Sequence, residues 1–181
     1  MDLRRMSLLA VAVLALSACK QQAEVAAPAA APVATVAPAA PAAPAAPDAT
    51  AVINDYMSAW NAHDGDKAGS YFADDGVYLD ASVGTPQNGR QAATDYVIKV
   101  FIKAVPDCLW TMRGEPIATA DGIAFEWTFT GTNTGDWSAE TKATGKTMSF
   151  NGVSFVRVKD GKITYQGDYY DAATLNKQMG W

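Results

Sequence analysis

Apolar side chains in the middle third of the chain recur every three or four positions, which is the spacing of a helix with one buried face. The pattern predicts a first helix capped by Asp48 or Thr50 and a short second helix capped by Asp66. A third helix is expected to start at Arg90 and to stop before Pro106, because proline cannot continue a helix.

Beyond residue 108 the pattern changes to an alternation of apolar and polar side chains, which predicts strands. The alternating segments are 109–118, 122–133, 147–159 and 162–170, with a shorter strand at 77–80 before them and a terminal helix at 172–179 after them. Asp121-Gly122 and Asp160-Gly161 are tight-turn dipeptides, which favour antiparallel hairpins. The order of elements predicts an α+β fold, a cone-shaped curved antiparallel sheet packed by three N-terminal helices. Such a sheet leaves a pocket beneath the helices, where a small ligand can bind.

The first residues have the features of an export signal. The charged pair Arg4-Arg5 precedes an apolar stretch, residues 8–16, that is too short to span a bilayer as a helix. The sequence at 16–19 (Leu, Ser, Ala, Cys) resembles the bacterial lipobox, in which the cysteine becomes the lipidated first residue. We therefore predict a signal peptide over 1–18 and lipidation of Cys19.

The residues after the signal divide into a spacer and a domain. Residues 19–47 begin with the predicted lipidated cysteine and are rich in Ala and Pro, a composition that favours extended polyproline II over a packed core. Residues 48–181 have the size of one domain. Lys20 follows the cysteine, and by resemblance to sorted lipoproteins this favours the outer membrane over the inner one. We expect a lipid-anchored protein of the bacterial envelope with its domain in the periplasm.

Charge and residue usage exclude several classes of function. The formal net charge of −5 argues against a nucleic-acid partner, which requires a basic surface. His63 is the only histidine, so a zinc site is not expected, and no cofactor-binding motif indicates a cofactor. With Cys19 lipidated, Cys108 is the remaining thiol, and we expect it to be a small buried apolar side chain rather than a reactive one.

Short phrases along the domain resemble a known family. In chain order they are Trp60-Asn61-Ala62-His63-Asp64, residues 72–77, Val105-Pro106-Asp107, residues 131–135, residues 143–146, residues 160–163 and Gln178-Met179-Gly180. In these phrases the domain resembles the SnoaL-like polyketide cyclases of the nuclear-transport-factor-two-like superfamily. The resemblance implies a curved sheet, a deep apolar pocket and usually a homodimer. It also implies a pocket aspartate that acts as acid and base in an aldol closure.

The last predicted strand carries the candidate catalytic group. Asp168-Tyr169-Tyr170-Asp171 is similar to the aspartate phrase of the related limonene epoxide hydrolases, and this similarity places Asp168 at the general-base position. Tyr78 matches the tyrosine that holds the attacking water in those hydrolases, and Asp80 replaces their asparagine. The resemblance therefore gives Asp168, Tyr78 and Asp80 as catalytic candidates.

Other positions depart from the family. Thr128 and Thr130 replace the Arg-x-Asp pair of the hydrolases, so epoxide hydrolysis by their mechanism is not expected. Asn133 stands where the cyclases commonly have a histidine. We predict that Thr128, Thr130 and Asn133 line the pocket together with Trp60 and Asp171.

Each aspartate also has an alternative explanation. Asp168 is either a pocket acid/base or a carboxylate bonded to a tyrosine or a main-chain amide, as buried polar groups usually are. Asp171 is either a second site residue or the N-cap of the terminal helix. If Asp80 faces the same pocket as Asp168, like-charge repulsion raises the pKa of one of them.

Three functions remain open at this point. The first is a lipid-anchored envelope protein whose domain binds a small apolar molecule in the cone pocket. The second is a cofactor-independent enzyme, an aldol-type cyclase, isomerase or hydrolase, that uses Asp168 as general acid/base. The third is a protein-interaction subunit that dimerises through its sheet.

Overall fold

The computed structural model describes residues 48–119 and 122–181. The predicted signal peptide, Cys19 and the Ala/Pro-rich linker lie outside the described residues. Within the described ranges, no helix is long and apolar enough to cross a membrane.

Helix α1, Ala49–Asn61, begins as predicted, because the Asp48 carboxylate accepts a hydrogen bond of 3.0 Å from the Thr50 amide. Its apolar stripe packs against the sheet and includes Ile53, Tyr56 and Trp60. Helix α2 is Gly65–Gly69.

The predicted cap of α2 was wrong by two positions. Asp64, not Asp66, accepts the hydrogen bond from the Lys67 amide at 2.9 Å, so the helix begins one residue after Asp64. Asp66 lies in the first turn and pairs instead with Lys99 at 2.6 Å.

The predicted third helix forms in three consecutive parts. They are α3, Arg90–Ala93, a π-helical turn, Thr94–Ile98, and α4, Lys99–Ala104. The Thr94 hydroxyl donates to the Arg90 carbonyl at 2.7 Å, and a side chain bonded to the preceding turn in this way disturbs the regular helical ladder. The helix ends before Pro106, as expected.

Six strands form one sheet in the order β2-β1-β6-β5-β4-β3. The strands are β1 Phe72–Asp80, β2 Gln87–Asn88, β3 Leu109–Thr119, β4 Gly122–Thr132, β5 Thr147–Lys159 and β6 Lys162–Tyr170, and helix α5, Ala172–Met179, follows them. The long strands β3 to β6 pair antiparallel as predicted, whereas β1 pairs parallel with β6, so the sheet is mixed. Because β1 and β6 are far apart in sequence, no tight turn constrains their relative direction.

A β-bulge in β6 determines which of its side chains face the helices. Val158 pairs with Ile163 and Arg157 pairs with Tyr165, so one residue of β6 has no partner in the ladder. Ile163 and Asp168 are an odd number of residues apart, so regular alternation would place them on opposite faces of the sheet. Both are buried, because the bulge lies between them and reverses the alternation.

The two faces of the sheet differ sharply. On β4 the inner face carries Trp127 and Phe129, which are buried in the core beneath the helices. Thr128 and Thr130 alternate with them and therefore lie on the outer face, where the Thr128 hydroxyl donates to Asn151 Oδ1 at 2.8 Å. The prediction that these two threonines line the pocket was wrong, because the aromatic face of β4 is the one that faces inward.

Candidate active site

Asp168 is at the centre of a buried hydrogen-bond network on the inner face of the sheet. Its Oδ2 accepts from the Tyr78 hydroxyl at 2.6 Å, and its Oδ1 accepts from the Ser154 hydroxyl at 2.6 Å. Gln166 Nε2 donates to both oxygens at 3.1 and 3.0 Å. Trp127 Nε1 donates to Ser154 Oγ at 2.8 Å and so fixes the orientation of that hydroxyl. The network holds the carboxylate in one position.

The environment of Asp168 shifts its proton affinity into the range useful for acid–base chemistry. The pKa of Asp168 is raised from 3.8 to about 6, mainly by burial and with a small contribution from the negative charge of Asp80. The hydrogen bonds from Ser154, Tyr78 and Gln166 stabilise the charged form and oppose that rise. A carboxyl with a pKa of about 6 can both take up and release a proton near neutral pH.

Tyr78 and Tyr56 surround the carboxylate as neutral phenols. Burial, and then the charge of Asp168, raise the pKa of Tyr78 and of Tyr56 well above the ordinary value. The side chains of Trp60, Tyr78 and Gln166 oppose this rise in the pKa of Tyr56. The Tyr56 hydroxyl is buried and forms no hydrogen bond of standard geometry within the described residues. The polar interior therefore extends from Asp168 to helix α1.

Asp80 is the second buried carboxyl of the site. It is only 6% exposed and is the direct partner of Asp168 on the adjacent parallel strand. Its Oδ2 accepts from the Tyr170 hydroxyl at 3.0 Å, and its Oδ1 accepts from the Ser82 and Val83 amides at 2.9 and 3.3 Å. Burial raises the pKa of Asp80, while these hydrogen bonds oppose the rise. The negative charge of Asp80 makes a small contribution to the raised pKa of Asp168, in the direction that like-charge repulsion predicts.

An aromatic chamber lies over the two carboxyls. It has a volume of about 30 Å³, which is the space of a water-sized group. Six aromatic side chains form its walls, Trp60, Phe101, Trp110, Trp127, Phe129 and Phe150, and Tyr78, Asp80, Asp168 and Tyr170 supply its polar groups. Trp60 thus lines the pocket as predicted.

A larger cavity, which we call the vestibule, adjoins the chamber. It has a volume of about 360 Å³ and shares Asp80, Phe101 and Tyr170 with the chamber. Its apolar walls include Val83, Tyr96, Val100, Trp137, Leu175 and Trp181. Since Asp80 and Tyr170 are hydrogen-bonded to each other, this pair forms the boundary between the two spaces.

Two predicted site residues lie elsewhere and have structural roles. Asp171 is exposed and caps α5 by accepting from the Thr174 amide at 2.9 Å, which is the alternative that its position before the helix favoured. Asn133 is fully buried, but its amide donates to the Ala104 and Gly135 carbonyls and its Oδ1 accepts from Thr144. Neither side chain lines the chamber or the vestibule.

The remaining chemical candidates are also structural. His63 Nε2 lies 2.9 Å from the Cys108 carbonyl, which ties the end of α1 to the start of β3. Cys108 is buried, and burial raises the pKa of its thiol to about 11, so it is not a reactive thiolate. Within residues 48–119 and 122–181, no cluster of three or more His, Cys, Asp or Glu side chains could hold a metal ion.

The sequence reasoning missed Ser154, Gln166 and Tyr170. Ser154 and Gln166 are fully buried, and each bonds Asp168 from a different position on β5 and β6. Tyr170 faces Asp80. Because the bulge in β6 reverses the facing of its later residues, alternation counted from Ile163 could not place Gln166 and Tyr170 on the inner face. On β5, Ser154 alternates regularly with the buried Phe150 and Val156, so the strand pattern could have found it.

The comparisons with known proteins agree with this architecture. The sequence profile of the SnoaL-like domain matches residues 53–166, so the chain belongs to the SnoaL-like family. A comparison with curated proteins finds no match to this sequence.

Several solved structures share the fold. A protein described as a SnoaL-like polyketide cyclase from Jannaschia is 11% identical, with a TM-score of 0.65 over 78% of this chain and 97% of that one. One described as a polyketide cyclase from Xanthomonas campestris is 23% identical, with a TM-score of 0.60 over 72% and 96%. A hypothetical protein with a ketosteroid isomerase-like fold from Catenulispora acidiphila, in complex with trimethylamine, is 19% identical, with a TM-score of 0.60 over 71% and 92%. At these identities the likeness establishes the fold.

Proposed function

We propose that the domain binds a small, largely apolar molecule in the chamber and the vestibule. The observation that carries this proposal is the placement of Asp168, a buried carboxyl that lines, with Asp80, a chamber whose other walls are aromatic. The vestibule volume of about 360 Å³ is within the range of cavities that bind small molecules, and its walls are mostly apolar. Ordered polar groups inside an apolar cavity orient a ligand rather than merely admit it.

Native mass spectrometry of the purified domain tests this function by detecting a co-purifying small molecule. We expect the bound mass to be lost in Asp168→Asn and retained in Asp171→Asn, because both changes remove one carboxylate but only Asp168 lines the chamber. Equal retention in the two variants would argue against a ligand seated on Asp168.

A second function, acid–base catalysis without a cofactor, is favoured by the short Tyr78–Asp168 hydrogen bond of 2.6 Å and by the Asp168 pKa of about 6. In this role the Asp168 carboxylate, held by the Tyr78 hydroxyl, takes a proton from a carbon next to a carbonyl and becomes the neutral acid. The electron pair of the broken C–H bond moves to the carbonyl oxygen as an enolate, and Asp168 returns a proton to carbon to complete the cycle.

Deuterium exchange measured by NMR on a panel of apolar ketones tests the catalytic function directly. We expect the protein to accelerate exchange at the carbon next to the carbonyl, with a rate at least about 100-fold lower in Asp168→Asn. Asp171→Asn should exchange at the rate of the unmodified protein. Exchange at the buffer rate in the unmodified protein would leave binding as the function of the site.

We further propose that the domain works in the bacterial envelope, anchored by a lipid on Cys19. The motif at 16–19 and the preceding apolar stretch support this location, and residues 19–47 have the composition of an extended spacer. Two or three acyl chains on one cysteine hold a protein stably on a membrane, since each buried CH₂ contributes about 0.8 kcal/mol.

We also propose that the domain forms a homodimer through the outer face of its sheet. Phe155 and Tyr169 are 52% and 46% exposed there, with ring centroids 5.9 Å apart. A shallow groove of about 410 Å³ beside Phe155 is lined by Ile117, Ala124 and Tyr165. Exposed apolar side chains that adjoin one another on a sheet are typical of protein–protein contact surfaces.

A further inference from the structure

The charged side chains that line the chamber and the vestibule are all acidic. Asp80 and Asp168 line the chamber, and Asp80 also lines the vestibule. Among the described residues that line either space, none is Lys, Arg or His. An anionic ligand would therefore meet only like charge in a desolvated setting, which is unfavourable.

Asp80 retains the capacity to accept another hydrogen bond. A carboxylate has about four acceptor sites, and Asp80 uses three of them, for the Tyr170 hydroxyl and for the Ser82 and Val83 amides. The four sites of Asp168 are used by Tyr78, by Ser154 and twice by Gln166. Asp80 can therefore take one further donor, and Asp168 contributes its negative charge. All of the present donors are neutral, and thus no cation in the described part of the chain balances these two buried acids.

The sizes of the two spaces define the form of a ligand. The chamber, at about 30 Å³, accommodates a head group the size of a water molecule. The vestibule, at about 360 Å³, accommodates a much larger apolar body between Trp137, Trp181 and Leu175. Because Asp80, Phe101 and Tyr170 line both spaces, a ligand that fills both must pass beside the hydrogen-bonded pair of Asp80 and Tyr170.

We propose that the ligand is a primary amine with an apolar body, whose ammonium group occupies the chamber between Asp80 and Asp168. This inference rests on the proposed binding function and names the class of its ligand. An ammonium group is water-sized, carries three donors and supplies the positive charge that the two carboxyls lack. The aromatic faces around it, such as Phe101 and Trp110, add cation–π attraction in a desolvated site.

Isothermal titration at pH 7.5 with three ligands that share one body tests the inference. The ligands are 4-phenylbutylamine, 4-phenylbutan-1-ol and 4-phenylbutyrate, which differ in the charge of the head group. We expect the amine to bind at least about tenfold tighter than the alcohol and the carboxylate to bind weakest, in the order set by charge complementarity. Fluorescence of the chamber tryptophans Trp60, Trp110 and Trp127 provides an independent readout.

Asp80→Asn separates charge from packing, because the amide retains the shape of the side chain. We expect this variant to lose at least about tenfold in affinity for the amine while the alcohol changes by less than about threefold. Asp75→Asn, an exposed carboxylate on the same strand, is the matched control and should leave both affinities unchanged. If Asp80→Asn does not give a native near-ultraviolet circular dichroism spectrum, Asp168→Asn replaces it with the same expectation.

The possible results separate a failure of the amine assignment from a failure of the proposed binding function on which it rests. An alcohol that binds as tightly as the amine, or a carboxylate that binds tightest, overturns the amine assignment and leaves the binding cavity in place. A preference for the amine that persists in Asp80→Asn and Asp168→Asn also overturns it, since the preference then arises outside the chamber. Failure of both the amine and the alcohol to bind contradicts the binding function itself.

Discussion

Asp80 and Asp168 are direct partners on the adjacent parallel strands β1 and β6, and both carboxyls line the same aromatic chamber. Parallel pairing brings the carboxyl ends of the two strands together, so two acids separated by 88 positions in sequence meet at one site. Each is satisfied by its own set of neutral donors rather than by a cation. The negative charge of Asp80 is one of the causes that raise the pKa of Asp168.

The first prediction concerns this effect of Asp80 on the pKa of Asp168. In a ¹³C NMR titration of the carboxyl groups, Asp168 should titrate with a midpoint near its pKa of about 6. Asp80→Asn should lower the midpoint, because the Asp80 charge is one of the causes that raise the pKa of Asp168. A midpoint near 3.8 in the unmodified protein would contradict the desolvated position of this carboxyl.

The second prediction is that Asp168 makes the protein less stable as the pH rises. Its folded-state pKa is about 6 against 3.8 for the free group, so between these values the folded chain binds more protons than the unfolded chain. The stabilising contribution is complete below the lower value and is lost as the pH rises through the upper one. This group alone should decrease the free energy of unfolding by roughly 3 kcal/mol across that window.

Urea unfolding between the two pH limits checks this effect, with Asp168→Asn expected to flatten the pH dependence. Asp171 provides a control of opposite sign. Its hydrogen bonds with Thr174 lower the pKa of Asp171, so its contribution is present at higher pH and is lost as the pH falls. If the free energy of unfolding fell more steeply with rising pH in Asp168→Asn than in the unmodified protein, the pKa of Asp168 could not be raised in the folded state.

The third prediction assigns Ser154 a positioning role. Ser154→Ala removes a buried hydroxyl that accepts from Trp127 and donates to Asp168, and it should cost about 1–3 kcal/mol of stability. The pKa of Asp168 should also rise, since the carboxylate loses a stabilising donor. Ser149→Ala, an exposed change on the same strand, should move neither the unfolding free energy nor the titration midpoint.

The fourth prediction tests the proposed homodimer. Phe155→Asp places a charge in the exposed apolar surface on the outer face and should convert a dimer into a monomer in analytical ultracentrifugation. Ser58→Asp, which adds the same charge at an exposed position of α1, should remain dimeric. A monomeric unmodified protein at micromolar concentration would refute the proposal.

The fifth prediction tests the proposed anchor. Expressed from the full sequence in a Gram-negative host, the protein should partition into the membrane fraction, and Cys19→Ala should release it. Cys108→Ala changes the only other cysteine and should stay in the membrane fraction, because Cys108 is buried inside the domain. Membrane partitioning that survives Cys19→Ala would require a different anchor.

The sequence by itself determined the family and most of the helices and long strands, but not strand β2 or the start of β1 at Phe72. Alternation over 122–133 and 147–159 and the dipeptide Asp160-Gly161 predicted long antiparallel hairpins, and the structure has β4, β5 and β6 in that arrangement. Local patterns are reliable here because turn chemistry and side-chain periodicity act between close neighbours in sequence. Asp168 and Tyr78 were predicted as site residues by a different route, the resemblance of short sequence phrases to a known family.

Only the tertiary structure decided which groups meet. The parallel pairing of β1 with β6 brings Asp80 beside Asp168, and the bulge in β6 turns Gln166 and Asp168 inward against the simple alternation. Thr128 lies on the outer face because the aromatic face of β4, with Trp127 and Phe129, packs beneath the helices. The alternation alone does not specify which of the two faces the helices cover. Pairings between distant strands and the facing of a bulged strand depend on long-range packing, which a local sequence pattern does not encode.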